Sequence, residues 1–159
     1  MSYSYARINL EKTKYKKIGS HEILLNPDPN QLREIYYKYC NHHKFNSVMP
    51  LFDIEFEENT IIGYYDGDVL VAFSMIAEFD EHNAECYQFA WDYANPKLHL
   101  GIKSLRNECA IYKELGYKYL YIGGADEYKQ KIDGFEVMNP VAWIDNRWTI
   151  DGFEPIQSK

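Results

Sequence analysis

Asp92 closes an apolar run, Cys86-Tyr-Gln-Phe-Ala-Trp, and a short loop, Tyr93-Ala-Asn-Pro96, separates it from a helical pattern that opens near Lys97. A helix start presents backbone N–H groups that no carbonyl of the same helix can take. The amides of Lys97, Leu98, His99, Leu100 and Gly101 therefore suit a phosphate or a carboxylate. Asp92 reads either as a functional acid where the strand ends or as a plain loop carboxylate beside a helix. Tyr121 and Tyr87 lie in strand-like segments, and each is either a proton donor to a leaving hydroxyl or a core tyrosine. His99, in the first helical turn, can relay protons or simply stand exposed. His42 and His43 together can bind metal, although favourable charge at a helix C-terminus is the simpler account. Glu108 faces away from the apolar stripe of its helix and reads as solvated. The three cysteines, Cys40, Cys86 and Cys109, form no CxxC pair, so no zinc site is expected from them.

These residues need a frame to position them. Tyr3–Leu10 and His21–Leu25 read as strands. The basic cluster Lys12, Lys14, Lys16 and Lys17 lies between them, at a solvated hairpin tip or against phosphates. Asp28 as N-cap, Pro29 at the first helical position and Gln31 mark a helix start. Leu32, Ile35, Tyr36, Tyr39 and Cys40 give that helix one buried stripe, and it should end near His42–Lys44. Thr60–Tyr65, Val69–Ala77 and Cys86–Trp91, joined by turns at Asp66-Gly67-Asp68 and Asp80–Asn83, predict an antiparallel meander. Leu98, Ile102, Leu105, Cys109, Tyr112 and Leu115 predict a helix from about Lys97 to Leu115, stopped at Gly116. Lys118–Gly123 follows as a strand, so the crossover from Cys86–Trp91 should be parallel. A short helix over Ala125–Lys131 and two last strands, Phe135–Met138 and Val141–Ile144, complete the pattern as a final hairpin. From Asp145 the chain turns polar.

Length and composition suit one soluble domain over residues 1–159. No apolar run approaches the roughly 20 residues of a membrane span. The N-terminus is too polar for a signal peptide, so a cytoplasmic protein with no membrane partner is expected. The net charge of −7 is unevenly placed: no lysine or arginine occurs between Phe45 and Pro96, and all 17 lie outside that stretch. An acidic middle favours a cationic partner and basic flanks tolerate an anionic one, unless both are only solvated faces. Overall acidity disfavours strong nonspecific nucleic-acid binding.

A helix, three antiparallel strands, a loop, a long helix, a strand and a final hairpin is the order of the GNAT (acyl-CoA N-acyltransferase) fold. The sequence resembles in particular the C-terminal domain of arginyl-tRNA–protein transferases. The shared features are Tyr36–His43, Asp66-Gly-Asp-Val-Leu-Val-Ala72, Trp91-Asp92 placed nine residues before Leu100-Gly101, Tyr119-Leu-Tyr-Ile-Gly123, and Tyr128-Lys129. FemX-type aminoacyl transferases look similar in their second half. Where the family pattern has a proline after the aspartate this chain has Tyr93, and where it has a serine before Leu-Gly this chain has His99. The resemblance implies an α/β (α+β) GNAT-like domain, with a mixed sheet made of an antiparallel meander and a parallel βαβ crossover and with helices on both faces.

The activity implied is transfer of an aminoacyl or acyl group to an amine. Catalytic roles fall on Asp92, Tyr121 and Tyr87, with Asp92 holding the amine. The donor's anionic part falls to Lys97, Leu98, His99, Leu100 and Gly101. Neither a metal nor a firmly bound cofactor is called for. The donor is aminoacyl-tRNA, held by its acceptor end, or a coenzyme A thioester. The acceptor is an amine-bearing small molecule or a protein N-terminus. Ordinary acetyl-CoA enzymes carry a glycine-rich loop at this helix start, whereas Pro96–Gly101 has one glycine. Two other readings stay open: an acetyl-CoA-dependent acetyltransferase with a degenerate loop, and a non-catalytic GNAT-like binding domain that could act as a homodimer.

Overall fold

The computed structural model describes residues 5–45, 47–124, 126–138, 143–144, 147–148 and 153–155. Val141, Ala142 and most of the stretch after Ile144 lie outside them, as do Tyr3, Ser4 and Ala125.

The described strands are β1 (Tyr5–Asn9), β2 (His21–Ile23), β3 (Thr60–Asp66), β4 (Val69–Glu78), β5 (Asn83–Trp91), β6 (Tyr119–Gly124), β7 (Phe135–Met138), β8 (Trp143–Ile144), β9 (Arg147–Trp148) and β10 (Phe153–Pro155). The helices are α1 (Pro29–His43), α2 (Asp53–Glu58) and α3 (Leu100–Glu114), with short 3-10 turns at Leu10–Lys12, Pro96–Leu98 and Glu127–Lys131. One mixed sheet runs in the order β10-β7-β1-β6-β5-β4-β3-β2, and β8 and β9 form a separate pair. The contacts group into two compact units. One comprises Met1–Lys17, Phe79–Glu85 and Arg106–Lys159, and the other Ile18–Glu78 and Cys86–Leu105.

In the second unit the meander forms as the turn residues dictate. Asp66 pairs with Val69 across a two-residue turn, and Gly67 takes the positive φ, 63°, that this turn requires. α1 starts where Asp28 Oδ1 accepts from Asn30 N at 3.0 Å and ends at Lys44, which is left-handed at φ 54°. Its stripe, Leu32, Ile35, Tyr36 and Cys40, packs with Ile61, Phe73 and Met75. Tyr64 points to the opposite face, where its hydroxyl donates to the Ser104 carbonyl of α3 at 3.2 Å. Helices thus cover both faces here. α2 was not foreseen, because a six-residue acidic segment with Phe56 as its one buried residue has no readable period.

In the first unit β1 lies between β6 and β7, antiparallel to both, with Ala6 and Ile8 fully buried. The expected hairpin of the first two strands is therefore absent, since β2 pairs with β3 instead. The expected final hairpin is replaced as well: β7 pairs with β1 and β10, and β8 with β9. The parallel crossover is present. β5 and β6 match over Asn83↔Tyr119, Ala84↔Leu120 and Glu85↔Tyr121, and the pairing stops there.

α3 begins three residues later than its stripe suggests. Pro96–Leu98 forms a 3-10 turn, His99 turns left-handed at φ 49°, and the α-helix runs from Leu100. It ends as expected. Gly116, at φ 93°, donates to the Lys113 carbonyl at 3.0 Å and Tyr117 N to that of Tyr112 at 2.9 Å, the paired bonds of a glycine-stopped helix. Glu108 is 1% exposed, contrary to the solvated reading. The helix buries Asn107 and Cys109–Tyr112 as well, so it is covered on more than one side and a single-stripe argument fails for it. Burial, and then the neighbouring Glu108, pushes the Cys109 thiol up, so it stays protonated and acts as a small hydrophobe.

Candidate functional site

The chemistry-bearing residues of the second unit gather where β5 ends. Asp92 N donates to the Val71 carbonyl at 3.0 Å, the last tie of the strand to β4. Asp92 Oδ1 then accepts from Ala94 N at 2.9 Å and fixes the turn. No hydrogen bond is seen to Asp92 Oδ2 among the described residues, and the side chain is half-buried, so one carboxylate oxygen is available to a cationic or amine group.

The amides of the following turn are engaged locally. Lys97 N donates to Asn95 Oδ1 at 3.3 Å, Leu98 N to the Asn95 carbonyl at 3.2 Å and His99 N to the Pro96 carbonyl at 3.2 Å. Lys103 N is bonded to the His99 carbonyl at 3.1 Å, which leaves Leu100, Gly101 and Ile102 as the first-turn amides of α3 without an intrahelical acceptor. A side chain built on Gly101 would meet nothing within 4 Å, so the backbone there is open to approach. Of the five residues expected to face an anionic donor, Leu100 and Gly101 have amides with no hydrogen-bond acceptor among the described residues, and Leu100 itself is buried. Lys97, Leu98 and His99 serve to shape the turn.

An aromatic stack that sequence reasoning missed adjoins Asp92. Tyr93, left-handed at φ 58°, lies against His42 with ring centroids 3.7 Å apart and against Trp91 at 4.1 Å. His43 Nε2 is 2.9 Å from the Tyr93 hydroxyl. Burial, and then the positive field of His42, lowers the His43 pKa below its usual value, so the ring is neutral near pH 7. Burial raises that of Tyr93, which keeps its proton. The phenol therefore donates and Nε2 accepts, in the tautomer with Nδ1 protonated. Such a pair can take up a proton at His43. Trp91, 5% exposed, carries a buried Nε1–H with no acceptor among the described residues. His42 and His43 lie in the last turn of α1, where positive charge favours the helix end. The described residues hold no group of three or more His, Cys, Asp or Glu able to bind a metal ion.

Tyr87 also belongs to this unit. Its hydroxyl accepts from Asn59 Nδ2 at 2.7 Å, and burial, followed by the negative charge of Glu55, raises its pKa to about 12. It is a phenol at every physiological pH. Tyr121 sits in the other unit. It stacks on Tyr5 at 6.1 Å and accepts from Arg7 Nη1 at 3.3 Å, while Arg7 also bonds Glu136 at 2.8 Å. Asp92, Tyr93, His43 and the first turn of α3 are thus assembled within one unit, and Tyr121 has its described partners in the other.

No protein-family model matches the sequence, and no curated protein does. Solved structures do. L-PGS from Bacillus licheniformis is 15% identical with a TM-score of 0.60, over 77% of this chain and 46% of that one. A C-terminal domain ascribed to a lysylphosphatidylglycerol synthetase of Agrobacterium fabrum is 12% identical, also with a TM-score of 0.60, over 77% and 47%. A probable N-acyltransferase, a conserved protein of unknown function from Enterococcus faecalis V583, is 10% identical with a TM-score of 0.57, over 86% and 37%. The chain spans less than half the length of each of these proteins. At such identities the likeness is one of fold, and the fold of this chain is that of the GNAT-like acyltransferases.

Proposed function

We propose that residues 1–159 act as one acyltransferase domain that moves an aminoacyl or acyl group from an activated ester or thioester to an amine. The observation that carries this reading is the end of β5, where a carboxylate oxygen of Asp92 with no partner among the described residues lies in the same compact unit as the open first turn of α3 at Gly101. Asp92 holds the acceptor nitrogen, and the amides of Leu100 and Gly101 take an anionic part of the donor. The amine lone pair attacks the carbonyl carbon, the bond to the ester oxygen or thioester sulfur breaks, and the nitrogen's proton passes to the Tyr93 oxygen as the Tyr93 hydroxyl proton moves to the neutral His43 at Nε2. The leaving group regains a proton from a phenol or from water, with Tyr93 and Tyr87 as the phenols of this unit to test.

The donor we favour is aminoacyl-tRNA, in the cytoplasm, with a small amine or a protein N-terminus as acceptor. Two things support it: the resemblance to arginyl-tRNA–protein transferases and the fold likeness to a domain ascribed to a lysylphosphatidylglycerol synthetase. A pyrophosphate loop needs several unengaged amides, and those of Lys97, Leu98 and His99 are engaged, which disfavours the coenzyme A alternative.

The test is transfer itself. Purified protein is incubated with aminoacyl-tRNA or with acyl-coenzyme A and a panel of amines, and products are read by mass spectrometry. Asp92→Ala should lower the rate about a hundredfold, within the usual range for loss of one positioned group. Full activity in that variant overturns the site. Thermal stabilisation by coenzyme A alone would move the reading to an acetyl-CoA enzyme, and no response to either donor would move it to a non-catalytic binding domain.

A further inference from the structure

The basic cluster near the N-terminus lines a cleft of about 610 Å³, within the size range of ligand sites. The cleft is bounded by Lys14, Tyr15, Lys16 and Lys17 on one side and by Lys113 and Glu114, in the last turn of α3, on the other. All of these belong to the first unit.

The loop that carries the lysines is a built element. Thr13 is fully buried, and both its N–H and its hydroxyl donate to the Leu10 carbonyl, at 3.1 and 2.8 Å. Lys113 Nζ donates to the Thr13 carbonyl. The Tyr15 hydroxyl accepts from Asp133 N at 2.9 Å, and the Arg106 guanidinium lies 5.7 Å from its ring centroid. The loop backbone is thus tied at Thr13 and at Tyr15, and Lys14 and Lys16 stand exposed on either side of Tyr15.

Lys17 is matched by Glu114 at 2.6 Å. Four lysines therefore face one carboxylate in a chain whose net charge is −7. Ammonium groups gathered round one cleft repel each other unless an anion sits among them. Lysine is a compact charge with three rotatable donors, which can meet phosphate oxygens pointing in several directions. We infer that this cleft binds closely spaced phosphates, those of a free oligophosphate or of a stretch of RNA backbone. The site is separate from the acyl-transfer reading, which uses the first turn of α3.

The experiment measures binding of a fluorescently labelled single-stranded RNA 12-mer and of inorganic tripolyphosphate to the full chain at low salt. Phosphatidylglycerol vesicles form a third arm. The expected result is that RNA or tripolyphosphate binds, that affinity falls as salt rises, and that Lys14→Glu/Lys16→Glu weakens binding about tenfold or more. Lys14→Arg/Lys16→Arg, which keeps the charge, should retain binding. Lys38→Glu/Lys44→Glu, the same change of charge away from the cleft, should retain it too. Response to RNA alone identifies a phosphodiester chain, and response to tripolyphosphate alone a free oligophosphate. Binding to vesicles only, no binding to any probe, or equal loss in the Lys38/Lys44 variant overturns the inference. Because binding is read here and transfer is read at Asp92, failure of one proposal leaves the other standing.

Discussion

His43 illustrates how a surface residue acquires a working pKa from its neighbours. Partial burial disfavours its charged form, and the adjacent His42 adds to the effect, so protonation of His43 begins at lower pH than for an ordinary histidine. The sign for stability follows. Between the folded pKa and the usual value near 6.5, the unfolded chain binds the proton more readily, so this contribution is fully present above that window and is lost as pH falls through it. An NMR titration should place the His43 midpoint below its unperturbed value of about 6.5, and His42→Gln should move it upward. A midpoint that does not move would assign the shift to burial alone. Little of this pair was legible in the sequence. His43 and Tyr93 are 50 residues apart, and each had a sufficient local explanation, helix-end charge for one and a loop for the other. The placement of Asp92 at a strand end and of Gly101 at a helix start was legible because strand end, loop and helix start are contiguous.

Among the elements, α1 and the β3–β4 hairpin followed directly from the cap at Asp28 and the turn at Gly67, where local chemistry decides the structure. The start of α3 did not, because Leu98 continues the apolar stripe while Pro96 and the left-handed His99 interrupt the backbone. Two glycines test how such positions differ. Gly134 has φ 77°, and a side chain on it would come within 2.4 Å of the Asn9 carbonyl oxygen. Gly134→Ala should therefore destabilise by more than about 1 kcal/mol, read as a lower urea midpoint. Gly101 is helical and faces open space, so Gly101→Ala should leave stability unchanged or raise it by up to about 1 kcal/mol. If the first turn of α3 receives the donor, the same variant should transfer more slowly, which separates a stability role from a binding one.

For the molecule as a whole, charge and pairing order matter most. Among the described residues no helix is long and apolar enough to cross a membrane. The strand order was only partly visible in the sequence, since a strand's own residues show that it pairs without showing with what. β1 is the clearest instance: it pairs with Tyr119–Gly124 and Phe135–Met138, and Arg7 bonds Glu136 across 129 positions of sequence. Truncation after Ile132, which removes β7, should abolish the single cooperative unfolding transition, as followed by circular dichroism.

That placement of β1 also sets the timing of folding on the ribosome. Once made, β1 acquires neither neighbour until more than a hundred further residues have been synthesised. At roughly 5–20 residues per second, Tyr5–Asn9 waits several seconds or longer with both edges open. During that interval it is a natural segment for a chaperone to hold, while the β3–β4 hairpin can already close from local contacts.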